Sequence, residues 1–319
     1  MIANSRIVRV LATMAVGICH LTSASSGGAT AKEQAPGYYH IRIGEFQVTA
    51  LSDGTDMLPT NILVNTSAAE VSSILARDFL ADPVETSINA FLVNTGSRLI
   101  LVDTGAGVLM GPGLGKVLSV LKSAGYQPEQ IDEVYLTHMH PDHFGGLLAA
   151  GHPAFPNAII RAAKSEADYW LSDANRDAAP MDAKPRFEQA MSSLAPYISA
   201  GKFITFGNNT ELVPGIRAVL TPGHSPGHTG YVIGSGAAML VIWGDLVHVA
   251  AVQFTRPSIA LKFDSDIKAA AIQRRQALKA AAEGKYWVAG AHLPFPGIGH
   301  VRSEGKNFVW VAANYGVLH

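Results

Sequence analysis

Four potential metal ligands lie within six residues of this chain, in the segment Thr137-His138-Met139-His140-Pro141-Asp142-His143. The residues directly before it, 133–136, are predicted to form a short buried strand. Three imidazoles and one carboxylate on a loop at the end of a strand can point at a single cation. Crowding them together without a cation would bring no compensating gain. The segment therefore predicts a metal site at the edge of a β-sheet.

The cysteine content limits the ligands of that site. The only cysteine among the 319 residues is Cys19. Residues 1–31 are predicted to be an export signal, because Arg6 and Arg9 precede an apolar stretch and Ala29-Thr30-Ala31 offers a small-x-small cleavage site. The apolar stretch is too short to span a hydrocarbon layer of ~30 Å. We expect a periplasmic or secreted protein without disulfides or thiolate ligands, whose metal is held by histidine and carboxylate.

Composition and patterning predict that residues 32–319 form a single domain. The chain is 48% apolar and its formal net charge is −1, so it can bury a large core and offers no basic surface for nucleic acid or anionic membranes. Strands and helices occur in both halves, which favours a layered α/β architecture. The polar, proline-containing residues 173–185 are predicted to form a surface loop. Strands are predicted at residues 38–43, 46–51, 88–93, 98–102, 133–136, 158–161, 217–220, 231–233, 239–242 and 287–289, and helices at 68–80, 114–124, 163–171, 186–194 and 267–282.

The segment from His138 to His143 resembles the H-x-H-x-D-H signature of the metallo-β-lactamase superfamily, residue for residue. Three later segments resemble further motifs of that superfamily in the same chain order: the segment around His224, Gly244-Asp245, and Gly290-Ala291-His292. Each follows a predicted strand, and the resemblance covers residues 37–310. It implies the four-layer αβ/βα sandwich of the metallo-β-lactamase fold and a metal-dependent hydrolase.

The resemblance also implies a centre of two divalent cations. Nitrogen and oxygen ligands suit Zn²⁺, with Mn²⁺, Co²⁺ or Fe²⁺ as alternatives. Two such cations ~3.5–4 Å apart share a bridging water and lower its pKa from about 15.7 towards ~7, which makes hydroxide available at neutral pH. The resemblance implies that one cation is bound by His138, His140 and His224. The implied ligands of the other cation are Asp142, His143 and His292. Asp245 is the implied ligand of both.

Asp103 is predicted to support this centre from outside the ligand shell. It lies in Leu101-Val102-Asp103-Thr104-Gly105, which resembles the first motif of the superfamily. The implied role is to accept a hydrogen bond from a ligand imidazole and fix its tautomer. A turn-forming aspartate is the alternative, because Asp-x-Gly also suits turns. Asp103, Asp142 and Asp245 are therefore the predicted catalytic carboxylates, whereas the resemblance gives His228 no ligand role.

The flanking sequence is similar to methyl parathion hydrolase-like enzymes, for instance in Gly125-Tyr126-Gln127-Pro128-Glu129-Gln130 and in residues 292–300. That similarity implies an exported homodimer that cleaves small organophosphate triesters with aryl leaving groups. Trp170 and Phe187 match aromatic residues at the mouth of the family's pocket, and we expect both rings over the metal cleft. Three further substrate-binding positions depart from the family pattern: Met110, His248 and Phe263.

Other substrates and one other class of protein remain open. Hydrolysis of a lactone, such as an acyl-homoserine lactone, or of an aryl ester needs the same hydroxide. If one of these is the substrate, phosphotriester cleavage is only a promiscuous activity. A β-lactamase is less favoured because no cationic anchor for the drug carboxylate is evident, and a nuclease would need a basic groove. A non-catalytic metal-dependent binding protein is the alternative of another class, although the complete ligand set argues against it.

Overall fold

The computed structural model describes residues 34–318, in which two seven-stranded sheets form the centre. The predicted export signal lies outside the described residues. In spatial order, the first sheet consists of Tyr38–Ile43, Phe46–Leu58, Val84–Asn94, Leu99–Val102, Glu133–Tyr135, Ile159–Ala163 and Phe203–Phe206. The second consists of Thr210–Val213, Ile216–Leu220, Thr229–Ser235, Ala238–Ile242, Trp287–Ala289, Ile298–Glu304 and Asn307–Ala312.

Strand Val84–Asn94 contains a continuous apolar run at residues 90–93. Successive side chains of a strand point to opposite faces of the sheet. Ala90 and Leu92 pack in the core beneath the helices, whereas Phe91 and Val93 pack in the core between the two sheets. Both faces of the strand are therefore buried at residues 90–93, which accounts for the apolar run there.

Helices cover the outer face of each sheet. Helices Val117–Ser123 and Lys184–Ser199 share a buried core with the first sheet, and helix Ile267–Gly284 shares one with the second sheet. The order helix, sheet, sheet, helix is the four-layer α/β sandwich that the resemblance predicts, and the fold prediction is confirmed. The remaining α-helices are Ala68–Arg77, Pro141–Phe144, Lys164–Trp170, Asp173–Ala178 and Ala250–Gln253.

The predicted helix start at residue 68 is confirmed. Helix Ala68–Arg77 begins after Ser67, whose side chain accepts a hydrogen bond from the Glu70 amide and caps the helix. The predicted loop at 173–185 is wrong in part, because it contains helix Asp173–Ala178 and the first turn of helix Lys184–Ser199. Pro185 fits that first turn, since its missing N–H has no intrahelical partner there.

Four strands of the two seven-stranded sheets escape the sequence-based prediction, as do the short strands Leu63–Val64, Leu148–Ala149, His152–Pro153 and Ala260–Leu261 of two small sheets. Three of the four, Phe203–Phe206, Thr210–Val213 and Asn307–Ala312, lie at sheet edges, and the fourth, Ile298–Glu304, pairs with an edge strand. Edge strands keep exposed positions and lack the continuous apolar runs of central strands. The formation of these strands therefore depends more on their pairing partners than on their own sequence.

No helix within residues 34–318 is long and apolar enough to cross a membrane.

Two pairs of parallel strands determine where the site lies. Leu99–Val102 runs parallel to Glu133–Tyr135 in the first sheet, and Ala238–Ile242 runs parallel to Trp287–Ala289 in the second. The carboxyl ends of parallel neighbours lie at the same edge. The segments that follow these four ends carry Asp103, residues 138–143, Asp245 and His292, whereas His224 lies on the loop after strand Ile216–Leu220. A hydrogen bond of 2.9 Å from the Thr229 amide to the Thr137 carbonyl joins the loops of the two sheets.

Candidate metal centre

The seven side chains predicted as metal ligands lie together where the loops of the two sheets meet. They form two groups, and within each group one potential ligand atom per residue lies within 4.8 Å of the others. The first cluster is His138, His140, His224 and Asp245, and the second cluster is Asp142, His143, His292 and Asp245. The grouping is the one that the resemblance implies, although His140 and Asp142 are only two residues apart.

Asp245 belongs to both clusters because its carboxylate contacts imidazoles of each. Its Oδ2 lies 3.2 Å from His224 Nε2, and its Oδ1 lies 3.2 Å from His143 Nε2. Oδ2 also lies 3.1 Å from His292 Nε2. The carboxylate is 2% exposed, so water cannot compensate for a missing partner. Its position is that of a bridging ligand between two cations.

The loop between strand Glu133–Tyr135 and helix Pro141–Phe144 orients four of these side chains. His140 occupies the N-cap position in extended conformation, and Pro141 begins the helix, where a proline is well tolerated. The backbone changes from extended to helical at this point, and Asp142 and His143 belong to the second cluster although the His143 ring lies only 4.1 Å from that of His138. The local sequence thus distributes neighbouring residues between the two clusters.

Asp103 lies beside the second cluster, as predicted. Its Oδ2 is 2.9 Å from His143 Nδ1, and its Oδ1 accepts a hydrogen bond of 2.8 Å from the Thr137 amide. With Nδ1–H donating to this carboxylate, the lone pair of His143 Nε2 faces Asp142 and Asp245. Asp103 has φ +60°, a left-handed conformation that costs free energy in a non-glycine residue and occurs more often at functional sites.

The buried polar atoms of the clusters fit divalent cations. His138 Nε2, His143 Nε2 and Asp245 Oδ1 are buried without a hydrogen-bond partner among the described residues. Orphaned buried polar atoms are rare in folded proteins. All three are nitrogen or oxygen donors of the kind that binds Zn²⁺. The residues present therefore suit two divalent cations.

The pKa values differ within the clusters for physical reasons. Burial, together with the positive charge of neighbouring imidazoles, lowers the pKa of His138 and His140, so both stay neutral at pH 7, the form that binds metals. Burial also lowers the pKa of His224, but hydrogen bonds to the carboxylates of Asp245 and Asp264 outweigh it and raise this pKa to about 9. Metal binding at His224 would therefore release a proton.

His228 is not grouped with either cluster, in agreement with the sequence-based interpretation. Its Nε2 accepts a hydrogen bond of 2.9 Å from the Asp245 amide, so the proton of the neutral ring is on Nδ1. Nδ1 lies 2.8 Å from Thr221 Oγ1. Burial is the main reason that the pKa of His228 falls to about 3. This histidine positions the backbone that carries Asp245.

Two carboxylates at the site were missed in the sequence. Asp264 Oδ1 lies 2.8 Å from His224 Nδ1, which makes it the counterpart of Asp103 in the first cluster. Glu166 accepts hydrogen bonds from the Met139 amide (2.8 Å) and the Gly227 amide (2.7 Å), which belong to two ligand-bearing loops. Neither residue stands in a motif with a ligand histidine. The run Asp264-Ser265-Asp266 directly precedes helix Ile267–Gly284, a pattern typical of a helix cap rather than of a metal site.

A cavity of about 370 Å³ lies over the clusters. Its floor includes His140, Asp142, Asp245 and His292, and Asp142 is the most exposed of the predicted ligands with 14% of its side chain accessible. Three of the predicted substrate-binding residues line it, namely Met110, His248 and Phe263. Other lining residues are Asp56, Leu58, Thr86, Ile88, Pro141, Asp182, Pro185, Arg186 and Gln189.

Trp170 and Phe187 do not line that cavity. Their rings pack on each other with centroids 4.6 Å apart, and both side chains belong to the core beneath the first sheet. The centroids of the Trp170 and His140 rings are 5.5 Å apart, and both aromatics line a second cavity of about 400 Å³ that shares His140, Arg186 and Phe263 with the first. The expectation of two rings over the metal cleft therefore differs from the structure, because helix packing turns them inward.

Comparison with known proteins agrees with this geometry. The sequence pattern of the metallo-β-lactamase superfamily matches residues 83–308. The chain is similar to the crystal structure of the hydrolase AbOPH in the beta-lactamase superfamily, with 37% identity over 89% of this chain and 100% of that one and a TM-score of 0.86. It is also similar to AidC, a dizinc quorum-quenching lactonase solved with a homoserine product, with 30% identity, coverage of 88% and 99%, and a TM-score of 0.81.

A curated relative, the N-acyl homoserine lactonase of Bacillus cereus, is 28% identical over 161 residues. This alignment covers 50% of the present chain and 55% of the relative, so the chain spans about half the length of that lactonase. The superfamily pattern, in contrast, covers most of the sandwich and all seven predicted ligands. The chain belongs to the metallo-β-lactamase superfamily.

Proposed function

We propose that this protein is a metal-dependent hydrolase of small neutral esters and that N-acyl homoserine lactones are its substrate class. The observation that carries the proposal is the pair of His/Asp clusters sharing Asp245 at the floor of a cavity. The similarity to a dizinc lactonase over nearly its whole length supports the substrate class. Two zinc ions are the proposed cofactors.

The residues at the floor of the cavity would have different roles in the hydrolysis. Two divalent cations would supply Lewis acidity toward the scissile carbonyl and activate water for attack. Asp142 lines the cavity floor and lies 3.4 Å from His143 Nε2 and from His292 Nε2, so its carboxylate is placed to accept or return a proton. Asp103 keeps the His143 ring in one tautomer through the 2.9 Å contact at Nδ1.

The cavity walls suit an acyl chain next to a polar head. Leu58, Ile88 and Phe263 give apolar surface, and burying each methylene of an acyl chain contributes ~0.8 kcal/mol. The side chains of Thr86 and Gln189 also line the cavity and can hydrogen-bond an amide or lactone oxygen. A volume of about 370 Å³ is within the usual range for small-molecule sites.

Phosphotriesters with aryl leaving groups are the second candidate. The same floor would polarise a P=O bond as well as a C=O bond, and Phe263 offers an aromatic wall for an aryl group. The inward packing of Trp170 and Phe187 removes two aromatic contacts that the sequence predicts for such substrates. This observation favours the lactone over the phosphotriester.

Kinetics on zinc-loaded protein would test the proposal. We expect the kcat/KM for N-hexanoyl-homoserine lactone to exceed that for methyl parathion and for 4-nitrophenyl acetate by at least ~10-fold, or ~1.4 kcal/mol in transition-state binding. Asp245→Ala, which removes the shared carboxylate, serves as the inactive control. A preference for the phosphotriester would contradict the substrate class. Absence of turnover on all three would favour the metal-dependent binding protein.

We also propose export and homodimer formation, as the sequence indicates. Mass spectrometry of the protein recovered from the periplasm or the medium should give a chain that begins at Lys32. Light scattering of the purified protein should give twice the mass of that chain. An intact N-terminus in the cytoplasm would contradict export, and a monomeric mass would contradict the dimer.

A further inference from the structure

A fully buried arginine lies behind the first cluster. Arg274, on helix Ile267–Gly284, is 1% exposed. Its guanidinium donates hydrogen bonds to the carbonyls of Leu246 (2.5 Å), Pro257 (3.0 Å) and Ile259 (2.7 Å). Leu246 directly follows the shared Asp245. The arginine thus ties the backbone beside the metal centre to a helix on the outer face of the second sheet.

Asp264 connects this arginine with a predicted ligand. Its Oδ2 lies 4.0 Å from Arg274 Nη2 and accepts a hydrogen bond of 2.9 Å from the Leu261 amide. Its Oδ1 lies 2.8 Å from His224 Nδ1. When Nδ1–H donates to Asp264, the lone pair on His224 Nε2 points at Asp245 and the other histidines of the first cluster. Burial lowers the pKa of Arg274 only to about 10, so it is still cationic at neutral pH.

The residues after Asp264 hold the backbone of the same loop. The Ser265 amide donates to the His224 carbonyl at 3.0 Å, and the Asp266 amide donates to the Gly223 carbonyl at 2.8 Å. The ring of His224 and the backbone that carries it are therefore fixed by three consecutive residues. Displacing this segment would displace the ligand with it.

The second cluster is supported by different groups. Asp103 contacts His143 Nδ1 at 2.9 Å, and the Ser87 carbonyl lies 3.0 Å from His292 Nδ1. Among the contacts described in residues 34–318, neither Asp264 nor Arg274 bonds to His143 or His292. The two clusters share Asp245, but each has its own buried carboxylate behind one histidine.

We propose that Asp264, held beside Arg274, is a positioning residue of the first cluster alone, so that its loss weakens one metal site and spares the other. This inference rests on the proposed two-metal centre. Outer-shell partners of ligand histidines typically change metal affinity by ~10–100-fold. The two sites of this protein would then be separable by substitutions that touch no ligand.

The test is zinc titration of the full mature chain against a chelator, combined with zinc anomalous diffraction. Wild type should hold two ions. Asp264→Asn removes the charge with little change in shape, and we expect it to weaken one site ~10–100-fold and to leave zinc at Asp142, His143 and His292. Asp103→Asn is the control. It removes the carboxylate that contacts His143 Nδ1 directly and reaches His138 only through Thr137 Oγ1, so it should weaken the second site more than the first.

Arg274→Lys keeps the charge but replaces the guanidinium with a single ammonium group. Because Arg274 bonds to the Leu246 carbonyl next to the shared Asp245, we expect this variant to weaken both sites, in contrast to Asp264→Asn. Equal weakening of both sites in Asp264→Asn, or wild-type affinity at both, would overturn the inference, as would a wild type that holds fewer than two ions. A protein with the expected metal pattern but without lactonase activity would overturn only the proposed function.

Discussion

Glu166 holds two ligand-bearing loops with one buried carboxylate. It accepts from the Met139 amide, the Gly227 amide and the Ser225 hydroxyl at 2.7–2.8 Å. Burial raises its pKa, and these hydrogen bonds act in the opposite direction by favouring the ionised form. A charged acceptor with three donors is therefore a strong local constraint on the backbone of both clusters.

Glu166→Gln should loosen both loops. The new amide group would place N–H donors against at least one of the three existing donors, and a hydrogen bond to a charged group contributes ~1.5–3 kcal/mol. We expect the free energy of unfolding to fall by ~2–3 kcal/mol and the metal content at fixed zinc to decrease. Urea denaturation and elemental analysis would measure both. The exposed Glu188→Gln is the matched control, and identical behaviour of the two variants would refute the role of Glu166.

Substitutions of Trp170 and Met110 should have opposite effects on stability and on substrate binding. Trp170 is 5% exposed and packed against Phe187, so Trp170→Ala should lower stability by ~3–5 kcal/mol and impair all substrates alike. Met110 is 39% exposed and lines the cavity, so Met110→Ala should change KM values with little effect on the melting temperature. A stable Trp170→Ala with a raised KM only for aryl substrates would restore the pocket role that the sequence predicts.

At the scale of elements, the loop after Asp103 lies against the turn after His143 with backbone touching backbone. The Thr104 amide donates to the His143 carbonyl at 2.7 Å, and the Gly146 amide donates to the Gly105 carbonyl at 3.1 Å. A Cβ on Gly146 would lie 2.1 Å from the Thr104 carbonyl oxygen. The glycine therefore permits the approach that brings Asp103 to His143.

Gly146→Ala should separate these two loops. Forcing extra volume into a packed contact costs ~1–3 kcal/mol, and the shift would lengthen the bond between Asp103 and His143. We expect a lower melting temperature and weaker zinc binding at the second cluster, measured by calorimetry and chelator competition. Gly207→Ala is the control, because a Cβ there meets nothing within 4 Å. If both variants bind zinc like wild type, the close approach has no part in ordering the site.

At the scale of the whole molecule, the metal centre joins the two sheets. Asp103 and His143 follow strands of the first sheet, and Asp245 and His292 follow strands of the second. A cation bound between these loops would link both halves of the sandwich. Without it, buried carboxylates and imidazoles face one another with unsatisfied atoms.

Removing the metals should therefore destabilise the entire sandwich. Free zinc at 100 times the Kd of a site adds ~2.7 kcal/mol of stability for that site. We expect the melting temperature to rise with free zinc and to fall after chelation. Mg²⁺ should have little effect, because it prefers oxygen ligands in octahedral geometry. A melting temperature independent of zinc would contradict a structural contribution of the metals.

The sequence was informative wherever the signal is local. The ligand loop from His138 to His143, the cap at Ser67 and the buried central strands all follow from residues close in the chain, because spacing and periodicity act over a few residues. The edge strands and the helix within residues 173–185 do not follow from the local sequence. Their stability comes from contacts with residues that are distant in the chain. The later ligands His224, Asp245 and His292 were predicted only through the resemblance to a family.

By itself the sequence determined a site of histidine and carboxylate ligands, without thiolates, on loops at strand ends. The tertiary structure alone decided which side chains support those ligands and which face the substrate. Asp264 lies 40 residues from His224, and Glu166 lies 59 residues from Ser225, so no local pattern links either pair. The packing of helices on the first sheet likewise turned Trp170 inward and left Phe263 in the cavity. Such contacts between distant residues arise only when the chain folds and apolar faces are buried together.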